Sequence, residues 1–106
     1  MSQKIHDILA ELRRRLGALY GNRLVSVILF GSQARDDAEP DSDIDVMLVL
    51  KDPVHREEEI DRVIPITAEL SLENDVVIST TYMSAERYAH EQSSLLLNVR
   101  KEGVPV

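Results

Sequence analysis

The chain is 106 residues long, 43% hydrophobic, and carries a formal net charge of −7 with no cysteine. That length holds one domain, residues 1–106, with a modest and mostly aliphatic core, since aromatics make up only 4%. The acidic balance argues against direct nucleic-acid binding, the missing thiols exclude disulfides and thiolate metal sites, and no apolar run nears membrane-spanning length.

The charged N-terminus, MSQKIHDILAELRRRL, has no secretory apolar block, so the cytoplasm is the expected compartment. Residues 2–20 read as an amphipathic helix. Ile5, Ile8, Leu9, Leu12, Leu16 and Leu19 follow helical spacing, Ser2 suits the N-cap and Gly21 the C′ position. Arg13, Arg14 and Arg15 read as a solvated face of that helix. The run 24-LVSVILF-30 has the composition of a strand covered on both faces. Gly31 and Ser32 break it, SQAR opens a short helix, and 36-DDAEPDS-42 is polar loop.

A second strand follows at 43-DIDVMLVL-50, where alternation puts Asp43 and Asp45 on one face. Residues 55–72 are helical, with Ile60, Val63, Ile64, Thr67 and Leu70 as the inner stripe and Pro65 kinking or splitting the helix. A third strand is expected at 75-DVVIST-80, with Asp75, Val77 and Ser79 on one face, and Glu73 sharing their parity. From Ser84 to Lys101 the tail is helical in two pieces meeting near Ser93, and Gly103 ends it. This order implies an α/β (α+β) domain, a small sheet with helices packed on it.

The chemistry sits around the second strand. Residues two apart on a strand are roughly 7 Å apart at Cα and lean over the same patch of sheet. Two carboxylates so placed repel unless a cation bridges them, and hard oxygen ligands of this kind suit Mg²⁺ or Mn²⁺. The acidic face of this strand turns apolar at Met47 and Val49, which a purely solvated face would not do. Asp75 is the best third ligand; a plain turn residue is the competing reading. Gly31 permits close approach of backbone to a ligand, Ser32 adds a hydroxyl, and the helix start offers unpaired N–H groups to an anion. Arg35 reads equally as a phosphate contact and as a surface residue. An anion cradle beside an acidic metal grip fits a metal-bridged triphosphate.

The string 31-GSQAR-35, followed by 42-SDIDVMLV-49, resembles the GSx10DxD signature of the minimal nucleotidyltransferases of the DNA polymerase β superfamily. The resemblance runs from the leading helix to 97-LNVRKEGV-104. It implies a polymerase β-like mixed sheet flanked by helices and nucleotidyl transfer with two Mg²⁺ ions. Gly31 and Ser32 would hold phosphates of ATP, with Arg35 and Ser42 beside them. Asp43 and Asp45 would ligate both ions, and Asp75 would complete the catalytic metal site and help deprotonate the acceptor. Asp36 departs from a glycine common among relatives. A chain of this length resembles the antitoxin of HEPN–MNT toxin–antitoxin pairs, implied to transfer AMP to a tyrosine of a HEPN-domain ribonuclease. The rival readings are a small-molecule (aminoglycoside-type) nucleotidyltransferase and an antitoxin acting only by occlusion.

The remaining residues lean structural. His6, His55 and His90 have no mutual spacing suited to a metal. Tyr82 and Tyr88 read as packing residues, with nucleobase stacking as the alternative. The Leu95, Leu96, Leu97 run exceeds what one helix face buries, so core packing and a partner surface both remain open.

Overall fold

Ser2 begins the first helix: its hydroxyl accepts the N–H of Ile5 at 3.2 Å, satisfying one of the donors that a helix start leaves unpaired. The computed structural model describes residues 1–35 and 42–106, so Asp36 and all of the 36–42 loop but Ser42 lie outside the described residues. The elements are α1 (Gln3–Tyr20), β1 (Leu24–Phe30), α2 (Ser32–Arg35), β2 (Ile44–Leu50), α3 (Arg56–Asn74), β3 (Ile78–Ser84), α4 (Ala85–His90), α5 (Ser94–Glu102) and β4 (Val104–Pro105). A short 3₁₀ turn, Gly21–Arg23, joins α1 to β1.

The sheet is mixed, in the order β3-β2-β1-β4. β1 runs antiparallel to β2 and β4, and β2 runs parallel to β3. Parallel neighbours need a crossover, and α3 supplies it. One face of the sheet, with Val27, Leu29, Ile44, Val46, Leu48 and Leu50, packs against α1 and α3 through Leu9, Leu12, Leu16, Val63 and Leu70. The other face, with Ile28, Met47, Val49 and Met83, is covered by Leu96 and Val99 of α5. The continuous apolar runs of β1 and β2 therefore have the cause expected of them, cover on both sides. Gly103 ends α5 where a Cβ would collide with the Val99 carbonyl oxygen and the Ile28 side chain, so the turn into β4 passes tightly over the sheet. β4 itself is too short to leave a pattern in the sequence.

Three expectations are corrected. The third strand begins at Ile78 and not Asp75, and it runs on to Ser84, taking Tyr82 into the sheet. The cause is α3, which reaches Asn74 and ends on Asp75 in the left-handed conformation (φ 54°). The N–H groups of Asp75 and Val76 both return to the Ser71 carbonyl, and the Asn74 amide donates to that of Leu70 at 2.9 Å. Second, Pro65 does not split α3, which is a single helix through it. Pro65 and Asp61, whose carbonyl loses its donor to the proline, both lie on the exposed side, where water can satisfy the freed oxygen. Third, the inner stripe of α3 is Glu59, Val63, Ile66 and Leu70, while Ile64 is 52% exposed.

Glu59 is the unexpected member, buried to 1% exposure. It accepts from Tyr20 Oη at 3.0 Å, Arg62 Nη1 at 2.7 Å, Arg23 Nη2 at 3.0 Å and the His55 N–H at 3.4 Å. Arg23 also donates to the Pro53 carbonyl at 2.8 Å, so one carboxylate ties α1, the start of β1 and the entry to α3 together. Burial by itself would raise the Glu59 carboxyl; the Arg23, Arg62 and Tyr20 hydrogen bonds outweigh it and bring it to about 2. Of the arginine run, Arg14 and Arg15 bind Glu11, and Arg15 also reaches Glu69 and Glu73 of α3.

Candidate active site

The acids stand at the start of the central strand. Asp43 immediately precedes β2 and is exposed; Asp45 is its second residue and half-buried. Asp45 is paired across the sheet with Phe30 of β1 on one side and Ser79 of β3 on the other, so its backbone is fixed from both flanks. β1 ends one residue before Gly31, which turns the chain with φ 74°, a conformation that favours glycine. A Cβ at Gly31 would stand 2.6 Å from Asp45 Oδ2. The carboxylate therefore rests on the bare α-carbon of the glycine turn.

α2 begins directly after that turn. The Gly31 carbonyl accepts the N–H groups of Ala34 and Arg35, and Ser32, half-buried, is the first helical residue. Gln33 Nε2 donates to the Ser42 carbonyl at 3.3 Å, tying the turn to the residue ahead of Asp43. Gly31, Ser32, Ser42, Asp43 and Asp45 are thus drawn to one end of β1 and β2. Arg35 pairs with Glu102 of α5 at 3.2 Å.

Burial raises the affinity of Asp45 for a proton, and the neighbouring charge of Asp43 adds to the effect. Two carboxylates sharing one patch, the less exposed of them disfavoured as an anion, form a donor set suited to a hard divalent cation, which removes both penalties. Asp75 is not brought to this pair. It is exposed at the end of α3, ahead of β3, and among the described residues no group of three or more His, Cys, Asp or Glu is placed to hold a metal. The parallel register instead sets Ser79 beside Asp45, and the Ser79 hydroxyl donates to Asp43 Oδ2 at 3.4 Å. Ser79 shares strand parity with Asp75, and that parity was the one sequence signal that could have marked it.

Residues 9–102 match the family described as the nucleotidyltransferase domain. The chain belongs to that family. Over 77 residues the nucleotidyltransferase is 35% identical to "Putative protein adenylyltransferase MJ0141" of Methanocaldococcus jannaschii, covering 72% of this chain and 76% of that one. Its fold is that of a solved minimal nucleotidyltransferase, with a TM-score of 0.62 at 20% identity over 95% of this chain and 94% of the other. It also resembles a toxin–antitoxin crystal structure with AMP-PNP, with a TM-score of 0.59 at 17% identity, covering 98% of this chain and 72% of that one.

Away from the acids, the nucleotidyltransferase keeps its other singled-out residues in plainer settings. His6, His55 and His90 are exposed. Tyr82 packs against the core and accepts the Thr80 hydroxyl at 2.9 Å, and Tyr88 packs on the α5 side under the Arg100 guanidinium. Leu96 is fully buried, whereas Leu95 and Leu97 are 40% and 50% exposed, so the leucine run is divided between core and surface. Among the described residues, no helix is long and apolar enough to cross a membrane.

Proposed function

We propose that this nucleotidyltransferase moves AMP from ATP onto a protein tyrosine, and that a HEPN-domain ribonuclease toxin is the acceptor, which makes the chain an antitoxin. The observation that carries the transfer chemistry is the contact of the Asp45 carboxylate with the Gly31 turn, which sets an acidic grip against a backbone cradle. The protein acceptor is supported by the name of the Methanocaldococcus relative and by the family resemblance of the GSx10DxD string.

In this reading Gly31 and Ser32 receive the β- and γ-phosphates of ATP, with Arg35 and Ser42 at their margin. Asp43 and Asp45 would hold Mg²⁺, or Mn²⁺ in its place, which supplies neutralisation of charge at the α-phosphate and on the departing pyrophosphate. The phenolic oxygen of the acceptor attacks the α-phosphorus, the bond to the bridging oxygen breaks, and pyrophosphate leaves. The phenolic proton passes to water, which reaches the exposed Asp43 end of the site. The half-exposed Leu95 and Leu97 are apolar surface available to a protein partner.

The test is incubation of the purified chain with labelled ATP, Mg²⁺ and the product of the neighbouring gene. Label on a tyrosine of that product, lost in the Asp43→Ala and Asp45→Ala variants, is the expected result. Absence of transfer, or transfer that survives both substitutions, refutes the proposal.

A further inference from the structure

We infer that Ser79 is the third side chain of the acid pair: a positioning residue whose hydroxyl orients Asp43 for the cation that Asp43 and Asp45 would hold. The inference rests on the nucleotidyl-transfer reading above and names a residue that reading does not use. Three observations carry it. The parallel register of β2 and β3 pairs Ser79 with Asp45, and paired residues of a parallel ladder project to the same side of the sheet. The Ser79 hydroxyl donates to Asp43 Oδ2 at 3.4 Å, bridging from β3 to the more exposed of the two acids. Asp75, like Glu73 an acid of matching parity ahead of β3, is held outside the strand by the left-handed end of α3.

A hydroxyl has one donor and two acceptor lone pairs. Donating to Asp43 uses the proton and leaves an oxygen that still accepts or ligates, so Ser79 restrains the rotamer of Asp43 without adding charge. The charge arithmetic then differs from that of a three-carboxylate site. Asp43 and Asp45 together balance one divalent cation. Among the described residues no further acid joins the pair, so a second ion would draw its compensation from the triphosphate and would bind with nucleotide.

The experiment is titration of the full-length chain with Mn²⁺, read by electron paramagnetic resonance or calorimetry, with and without a non-hydrolysable ATP analogue. One Mn²⁺ per chain without nucleotide and two with it are expected. Ser79→Ala should weaken the nucleotide-free site about 5-fold, the scale of one hydrogen bond to a charged group. Ser79→Thr should restore it, and Ser79→Asp should tighten it about 10-fold or more, because a third charge joins the site. In turnover, Ser79→Ala should lower kcat with little change in KM for ATP, since the phosphates sit at the Gly31 turn. Melting temperatures of the variants should stay close to that of the parent, which separates positioning from folding. If the Ser79 variants match the parent while Asp43→Ala and Asp45→Ala lose Mn²⁺, this inference fails and the transfer reading stands. If Asp75→Asn costs more affinity than Ser79→Ala, the third place returns to Asp75. Should Asp43→Ala and Asp45→Ala bind Mn²⁺ as tightly as the parent, the transfer reading itself falls.

Discussion

The carboxylate of Asp45 occupies the space that a side chain at Gly31 would need, with Oδ2 2.6 Å from the position of a Cβ there. Gly31→Ala therefore acts twice. The left-handed backbone (φ 74°) costs a residue with a Cβ about 1–2 kcal/mol of stability. Asp45 must also swing away from the turn, and a misplacement of that size costs about 100-fold in turnover. Denaturant unfolding and AMP transfer measured on the same variant check both halves. A folded Gly31→Ala protein with parental activity contradicts the geometry.

Asp45→Asn separates stability from chemistry. Its carboxyl binds protons more tightly than an ordinary aspartate, because of burial first and Asp43 second, so the anion present at neutral pH weighs against the folded state. Removing that charge should stabilise the protein in EDTA, seen as a rise in Tm. The same variant should transfer no label. Equal or lower Tm in EDTA counts against the strain described for the pair.

Arg35 ends the short helix that follows the Gly31 turn and is paired with Glu102, in an ion pair whose side chains are 45% and 33% exposed. Such a pair contributes about 0–1 kcal/mol, so Glu102→Gln should leave denaturant stability nearly unchanged. If Arg35 reaches nucleotide, KM for ATP should rise several-fold, and Glu102→Gln should lower it by removing a competitor. Steady-state kinetics of the two variants decide; shifts in the same direction argue against a nucleotide role.

Glu59 should govern the acid limit of stability. Its folded value of about 2 lies below the ordinary 4.5. A depressed carboxyl stabilises above its unfolded value and loses that contribution as pH falls through the folded one, so stability should decline between about pH 4.5 and 2. Glu59→Gln leaves Arg23 and Arg62 without their anion and should cost about 3 kcal/mol at neutral pH, while flattening that acid limb. Urea titrations at pH 7 and at descending pH measure both.

The sequence made the central architecture readable because its strongest patterns come from burial. Five of the six apolar positions expected of α1 are buried, with Tyr20 taking the place of the exposed Leu19, and the apolar runs mark β1 at 24–30 and β2 at 44–50, although Val25 is exposed. The Gly31-Ser32 turn and the Asp43/Asp45 pair were legible for a similar reason: chemistry at fixed spacing along one or two elements leaves a local trace. What could not be read depends on where a helix stops. Asp75 looked like the first residue of a strand by alternation, but one further turn of α3 made it a cap, and the residue that β3 sets beside Asp45 is Ser79. Glu59 was hidden for the opposite reason, since an acid in the first turn of a helix ordinarily faces water. Only the convergence of Tyr20 and Arg23 from a distant part of the chain with Arg62 one helical turn along α3 makes its burial tolerable.

β2 is one of the two inner strands of the sheet, and Asp45 is stitched to neighbours on either side while its own run from Val46 to Leu50 is sealed from solvent. The reactive end of the molecule therefore inherits its alignment from the greasy interior a few residues away. A methyl group trimmed from the fully buried Met47 or Val49 should cost about 1 kcal/mol of stability and loosen the alignment of Asp45 with it, and an amide-exchange survey should find Asp45 among the slowest protons of the chain.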